Sequence, residues 1–230
     1  MDLVALAQRY AQVKASIPSH VKLVAVSKTR TVAEIQALYD LGHRAFGENY
    51  PQELREKQPL LPADIEWHFI GHLQTNKVNY ILPSDRDTAL THLIHGVDGP
   101  KLLDELDKRA VAGQRIQDVL LQVHIAKEAT KHGLAPDEVA ELLEAGRAGR
   151  WPHVRIRGLM GMASNTEDRE RVRQEFHGLA EMFHGLRRAQ DPALFTELSM
   201  GMSGDADLAI AEGSTLVRIG TAIFGERSYE

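Results

Sequence analysis

The sequence predicts a single (β/α)8 barrel of the TIM type with an extra N-terminal helix, one domain over residues 1–230. Eight short aliphatic, β-branched runs recur along the chain, each followed by a helical or turn segment, which is the count of a closed parallel barrel. No Pro/Gly/Ser-rich linker, repeat or low-complexity tract divides the chain. Its 230 residues fit one large domain or two small ones, and eight strands use nearly all of them. A doubly wound open sheet is the competing architecture, but it rarely needs so many parallel strands.

A helix over Asp2 to Ser16 precedes the first strand and is expected to cover the barrel floor. The first strand is Lys22-Leu-Val-Ala-Val-Ser27. Thr31 then caps a helix, with Glu34 at capping-box spacing, Val32, Ile35 and Leu38 on its apolar face, and Gly42 at its end. Arg44 to Phe46 is the second strand, Glu66 to Ile70 the third and Leu90 to Ile94 the fourth, followed by a helix from Gly99 to Ala112. Asp118 to His124 is the fifth strand and Val154 to Met160 the sixth, before a long helix from Thr166 to Ala189. Phe195 to Ser199 and Leu216 to Ile219 complete the eight.

Composition removes several functions. Cysteine is absent, which excludes disulfides, thiolate zinc sites, iron–sulfur clusters and a Cys nucleophile, and suits a cytoplasmic protein. The net charge of -5 argues against a nucleic-acid partner, because phosphate-backbone binding draws on clustered cations. Arg147, Arg150, Arg155 and Arg157 around Trp151 read as a solvated loop. No apolar run approaches the ~20 residues that span a bilayer, so no membrane partner is expected. The amphipathic start carries Asp2 and does not read as a signal peptide. A metal site is not expected from the 11 histidines. His68 and His72 share no helical face, and His92 and His95 straddle a strand end.

Functional groups of such barrels gather at the C-terminal ends of the strands. Lys28 follows an apolar strand, and desolvation there lowers a lysine pKa and makes the amine nucleophilic toward carbonyls. The alternative is a rim lysine in a salt bridge. Ser199-Met-Gly-Met-Ser203 and Arg218-Ile-Gly-Thr221 occupy the loops after strands seven and eight, where barrels often bind phosphate on backbone N–H groups. A turn and a cap explain the same residues more simply. Barrel closure makes strand one the neighbour of strand eight, so Lys28 would lie beside Arg218 and Gly220. A molecule with a carbonyl and a phosphate, such as pyridoxal 5'-phosphate (PLP), would fit both.

The motifs carry a resemblance. Ala25-Val-Ser-Lys-Thr29, Phe46-Gly-Glu-Asn-Tyr50, Trp67-His-Phe-Ile-Gly71 with Leu73-Gln-Thr-Asn-Lys77, Gly158-Leu-Met160, Leu198-Ser-Met-Gly-Met-Ser203 and Gly213 to Gly225 resemble, in order, the pyridoxal phosphate homeostasis protein family. That family's fold looks like the barrel domain of alanine racemase. Ala163 departs from the pattern, where many relatives carry proline. The resemblance implies PLP as cofactor, held on Lys28 as a reversible Schiff base. It further implies that Ser199, Gly220 and Thr221 hold the phosphate, that Arg218 faces the pyridine nitrogen, and that Asn49 approaches the phenolic oxygen.

An arginine at the pyridine nitrogen disfavours ring protonation and weakens the electron sink, where most PLP enzymes place a carboxylate. The chain also ends at Glu230, with no residues for the second domain that supplies a racemase's tyrosine base. The expectation is therefore a monomeric, non-catalytic carrier that buffers PLP or supplies it to apo-enzymes. The competing class is a small PLP enzyme, a racemase or Schiff-base lyase, with His68, His72 or Tyr50 as base. Lys131 would be a second cofactor-reactive amine or an ordinary exposed lysine.

Overall fold

A computed structural model describes residues 2–83, 91–128 and 132–226. Its strands are β1 (Lys22–Val26), β2 (Ala45–Glu48), β3 (Glu66–Phe69), β4 (Thr91–Val97), β5 (Gln117–Val123), β6 (Val154–Gly161), β7 (Glu197–Ser199) and β8 (Leu216–Ile219). All pair in parallel and in sequence order, and β8 closes on β1. The helices are α1 (Leu3–Ser16), α2 (Val32–Asp40), α3 (Pro51–Lys57), α4 (Val78–Ile81), α5 (Pro100–Ala112), α6 (Pro136–Arg147), α7 (Arg169–Arg187), α8 (Ala206–Ala211) and α9 (Thr221–Phe224). The expected barrel is present. Strand four runs further than expected, to Val97, while its expected first residue, Leu90, lies outside the described residues, as does Lys131.

Local chemistry explains the ends. Thr31 and Glu34 form the capping box, with the Thr31 N–H donating to Glu34 Oε2 at 2.8 Å and the Glu34 N–H to Thr31 Oγ1 at 3.3 Å. Asp2 Oδ1 accepts from the N–H groups of Val4 and Ala5. Gly158 has φ +154, and a Cβ there would lie 1.8 Å from the Glu197 carbonyl oxygen, so the β6–β7 approach admits only glycine.

α1 lies on the barrel's flank and not on its floor. It packs beside α2 and α9, with Arg9 Nε donating to the Ile223 carbonyl at 2.9 Å. Tyr10 at its other half meets His43, just before β2. The reason is room: α9, the helix of the eighth βα unit, has only four residues, and α1 fills the flank it leaves.

Two cores result. The larger lies between sheet and helices and includes Phe46, Trp67, Phe69, Phe176 and Phe183. The smaller fills the lumen with Val24, Leu93, Leu120, Met160 and Leu216. Successive strand residues face opposite ways, so the lumen set fixes which positions point inward. The Arg cluster meets carboxylates: Arg155 and Arg157 pair with Asp118, and Arg150 with Asp104. No helix among the described residues is long and apolar enough to cross a membrane.

Candidate functional site

Counting in twos from Val24 passes Val26 and reaches Lys28; counting from Leu216 passes Arg218 and reaches Gly220. Val24, Val26, Leu216 and Arg218 share the inward parity, and Lys28 and Gly220 follow just past the strand ends. Val24 pairs with Arg218 across the β1–β8 seam, and a Cβ on Gly220 would come within 3.2 Å of Val26. On the other side Val26 pairs with Gly47, and the Ser27 N–H donates to the Gly47 carbonyl at 2.9 Å. Lys28, half-buried, is therefore flanked by Asn49 beyond β2 and by Gly220–Thr221 beyond β8. The predicted residues Lys28, Asn49, Arg218, Gly220 and Thr221 share one mouth.

The backbone turns sharply at that mouth. Thr29 has φ 62, an unfavourable value for a β-branched residue, and it directly follows Lys28. The turn is held from below: the Thr29 N–H donates to Glu53 Oε2 at 2.8 Å, and Arg30 N–H to the Ser27 carbonyl. Behind Lys28, on the outward face of the sheet, a buried network fixes the strand end. Ser27 Oγ donates to Glu48 Oε1 at 2.6 Å, and Lys57 Nζ donates to Glu48 Oε1, Glu53 Oε2 and the Ser27 carbonyl. Burial pushes the Glu48 carboxyl up to about 7, against the pull of Lys57 and Ser27. Sequence reading did not find this network. Its one local signal is the four-residue spacing of Glu53 and Lys57 on α3.

Arg218 is buried in the lumen. Its Nη1 donates to Ser199 Oγ and its Nη2 to the Gly161 carbonyl at 3.1 Å. Among the described residues no carboxylate pairs with it, and burial lowers its pKa to about 10, which leaves a cation at neutral pH. Ser199 sits at the end of β7 beside Arg218. It is fully buried, and its Oγ is taken up by Arg218 on one side and His95 Nδ1, 2.8 Å away, on the other. The exposed hydroxyl of that loop is Ser203.

Of the residues weighed as bases, Tyr50 and His72 line one pocket with Asn49, and His68 lies elsewhere. His68 is buried beneath the mouth, its Nδ1 2.9 Å from His95 Nε2, and burial holds its pKa well below the usual value. His72 stands on the rim, 3.3 Å from Asp98 and stacked on His132. Tyr50 is half exposed at the start of α3.

A PLP-sized ligand can be tested against this donor set. Among the described residues, Asn49 Oδ1 is buried without a hydrogen-bond partner. Arg218 is a buried cation whose hydrogen bonds among the described residues go to neutral acceptors, with the Asp205 carboxylate acting on it from further away. Thr221 and Ala222 are exposed at the start of α9, where the first helical N–H groups lack intrahelical acceptors. With the Lys28 amine between them, these groups fit a planar aldehyde bearing a phosphate.

Fold and mouth together define an alanine-racemase-type barrel, and a family model described as alanine racemase, N-terminal domain, matches residues 1–228. Within that class the chain belongs to the pyridoxal phosphate homeostasis protein family. It is 43% identical over 209 residues to the family's protein from Aquifex aeolicus, covering 90% of this chain and 88% of that one. PipY of Synechococcus elongatus, solved without and with PLP bound, superposes with TM-scores of 0.85 and 0.83 at 36% identity, covering 96% of this chain and all of PipY. Alanine racemase from Bartonella henselae shares the fold at TM-score 0.72 and 15% identity, this chain matching 62% of its length.

Proposed function

We propose that this protein binds PLP reversibly at the barrel mouth and serves intracellular vitamin B6 homeostasis as a carrier, not a catalyst. The observation that carries the reading is that Arg218 faces inward on β8 while Lys28, Asn49 and Gly220 stand just past the C-terminal ends of the neighbouring strands β1, β2 and β8. When bound, PLP supplies an aldehyde that condenses reversibly with primary amines. Lys28 is the amine for that link, and the Ser27–Glu48–Lys57 network holds the strand end that presents it. Gly220 and Thr221 take the phosphate on backbone N–H groups and a hydroxyl. Ser199 joins them at the phosphate end, and its hydroxyl also accepts from Arg218, which faces the pyridine nitrogen. Asn49 approaches the phenolic oxygen, to which its amide N–H would donate.

Arg218 favours the carrier reading. It keeps a positive charge where ring protonation would build the electron sink that catalysis needs. Two of the candidate bases are engaged elsewhere: His68 is buried below the mouth against His95, and His72 meets Asp98 and His132. We place the protein in the cytoplasm as a monomer that hands PLP to apo-enzymes. Absorption spectra test the binding claim. Wild-type protein with PLP is expected to show the visible band of an amine-linked aldehyde, and Lys28→Ala to lose it; an unchanged band in the variant overturns the assignment.

A further inference from the structure

We propose that the floor of the barrel carries a divalent-metal site, built from Glu66, His68 and His92 and suited to Zn2+. One ligand atom from each of these residues lies within 4.8 Å of the others. Glu66 and His68 are two apart on β3, so both point the same way from the sheet, Glu66 at the floor and His68 one step above. His92 comes from β4 through an irregularity. Trp67 pairs with Thr91 but His68 with Leu93, so His92 is the extra residue of a bulge. Bulges redirect side chains, and here the rings of His92 and His68 come within 5.3 Å, centre to centre.

The second observation is the state of His68. The residue is 1% exposed, and its Nε2 has no hydrogen-bond partner among the described residues. A buried, unpaired ring nitrogen is costly and rare in a folded protein. With Nδ1 beside His95, Nε2 is the nitrogen that His68 can offer to the cluster. A metal on Nε2 places the ring proton on Nδ1, where His95 Nε2 accepts it at 2.9 Å. This is the orienting hydrogen bond that metal-bound histidines usually make.

The donor set is two imidazoles and one carboxylate, which suits zinc, and three protein ligands leave a fourth position for water. Access is open, because Glu66 and His92 both reach solvent. Lys22 Nζ donates to Glu66 Oε2 at 2.8 Å, and Glu66 Oε1 is the oxygen left for the ion. The site is at the opposite end of the barrel from Lys28 and shares no residue with the proposed PLP contacts.

Calorimetric titration of chelator-treated, untagged protein with Zn2+ tests the site, with His92→Ala and Glu66→Gln as variants. Both lie at the surface and spare the buried His68. The expected result is one Zn2+ per chain, weakened at least about tenfold in each variant, with unchanged binding in His72→Ala, which alters the rim cluster of His72, Asp98 and His132. Absence of binding by the wild type, binding that survives both floor variants, or binding lost in His72→Ala overturns the proposal.

Discussion

Arg218 and Ser199, 19 residues apart, meet inside the barrel, where the guanidinium donates to the serine hydroxyl. On its other side the same hydroxyl meets His95, and His95 meets His68. A line of polar groups thus crosses a lumen otherwise filled by Val24, Leu93, Leu120, Met160 and Leu216. Its upper end is the cation of the proposed cofactor mouth.

Ser199→Ala is expected to lower stability by about 1–3 kcal/mol, because it leaves Arg218 and His95 each short of a buried partner. It is also expected to weaken PLP binding while keeping the visible band. Urea denaturation and PLP titration measure the two effects. Unchanged values for both would show that the serine does not position the arginine.

Gly71→Ala is expected to weaken PLP binding roughly tenfold without loss of the fold. A Cβ there would come 2.3 Å from the Asn49 carbonyl oxygen, so the loop bearing Asn49 must shift. Circular dichroism checks the fold and titration the affinity; wild-type affinity would remove Asn49 from the site.

Two buried groups make opposite contributions to acid stability. Burial lowers the pKa of His43 from 6.5 to about 4. Below pH 6.5 the unfolded chain takes the proton first, so His43 contributes stability above that pH and loses it as pH falls through about 4. Glu48, raised from 4.5 to about 7, contributes stability below 4.5 that is lost as pH rises through about 7. His43→Gln should therefore flatten the fall in stability between pH 6.5 and 4, and Glu48→Gln should steepen it. Denaturation midpoints across that range decide, and the opposite slopes would refute the assignment.

Incubation of the PLP-loaded protein with L- or D-alanine is expected to give no sustained racemisation. Turnover at ordinary enzyme rates, measured by chiral chromatography, would replace the carrier reading with the racemase one.

Much of the barrel was legible because strands covered on both faces read as short β-branched runs, as in Lys22 to Val26 and Leu216 to Ile219. The mouth was legible once closure made β1 and β8 neighbours, since Lys28 and Gly220 then share a seam. What escaped was set by distant contacts. His95 and Ser199 are 104 residues apart, and no local spacing announces their bond. The α1 position depended on α9 being too short to cover its own flank. The floor histidines looked scattered because a bulge at His92, not a regular period, brings them together. Ser199 shows what motif reading leaves out: its place after β7's apolar residues suggests an anion contact, but not its buried bonds to Arg218 and His95.

Borohydride reduction of the PLP-loaded protein, followed by peptide mass spectrometry, tests the central claim most directly. One pyridoxyl adduct per chain on Lys28 is the predicted result. An adduct on another lysine, or none, would contradict the account.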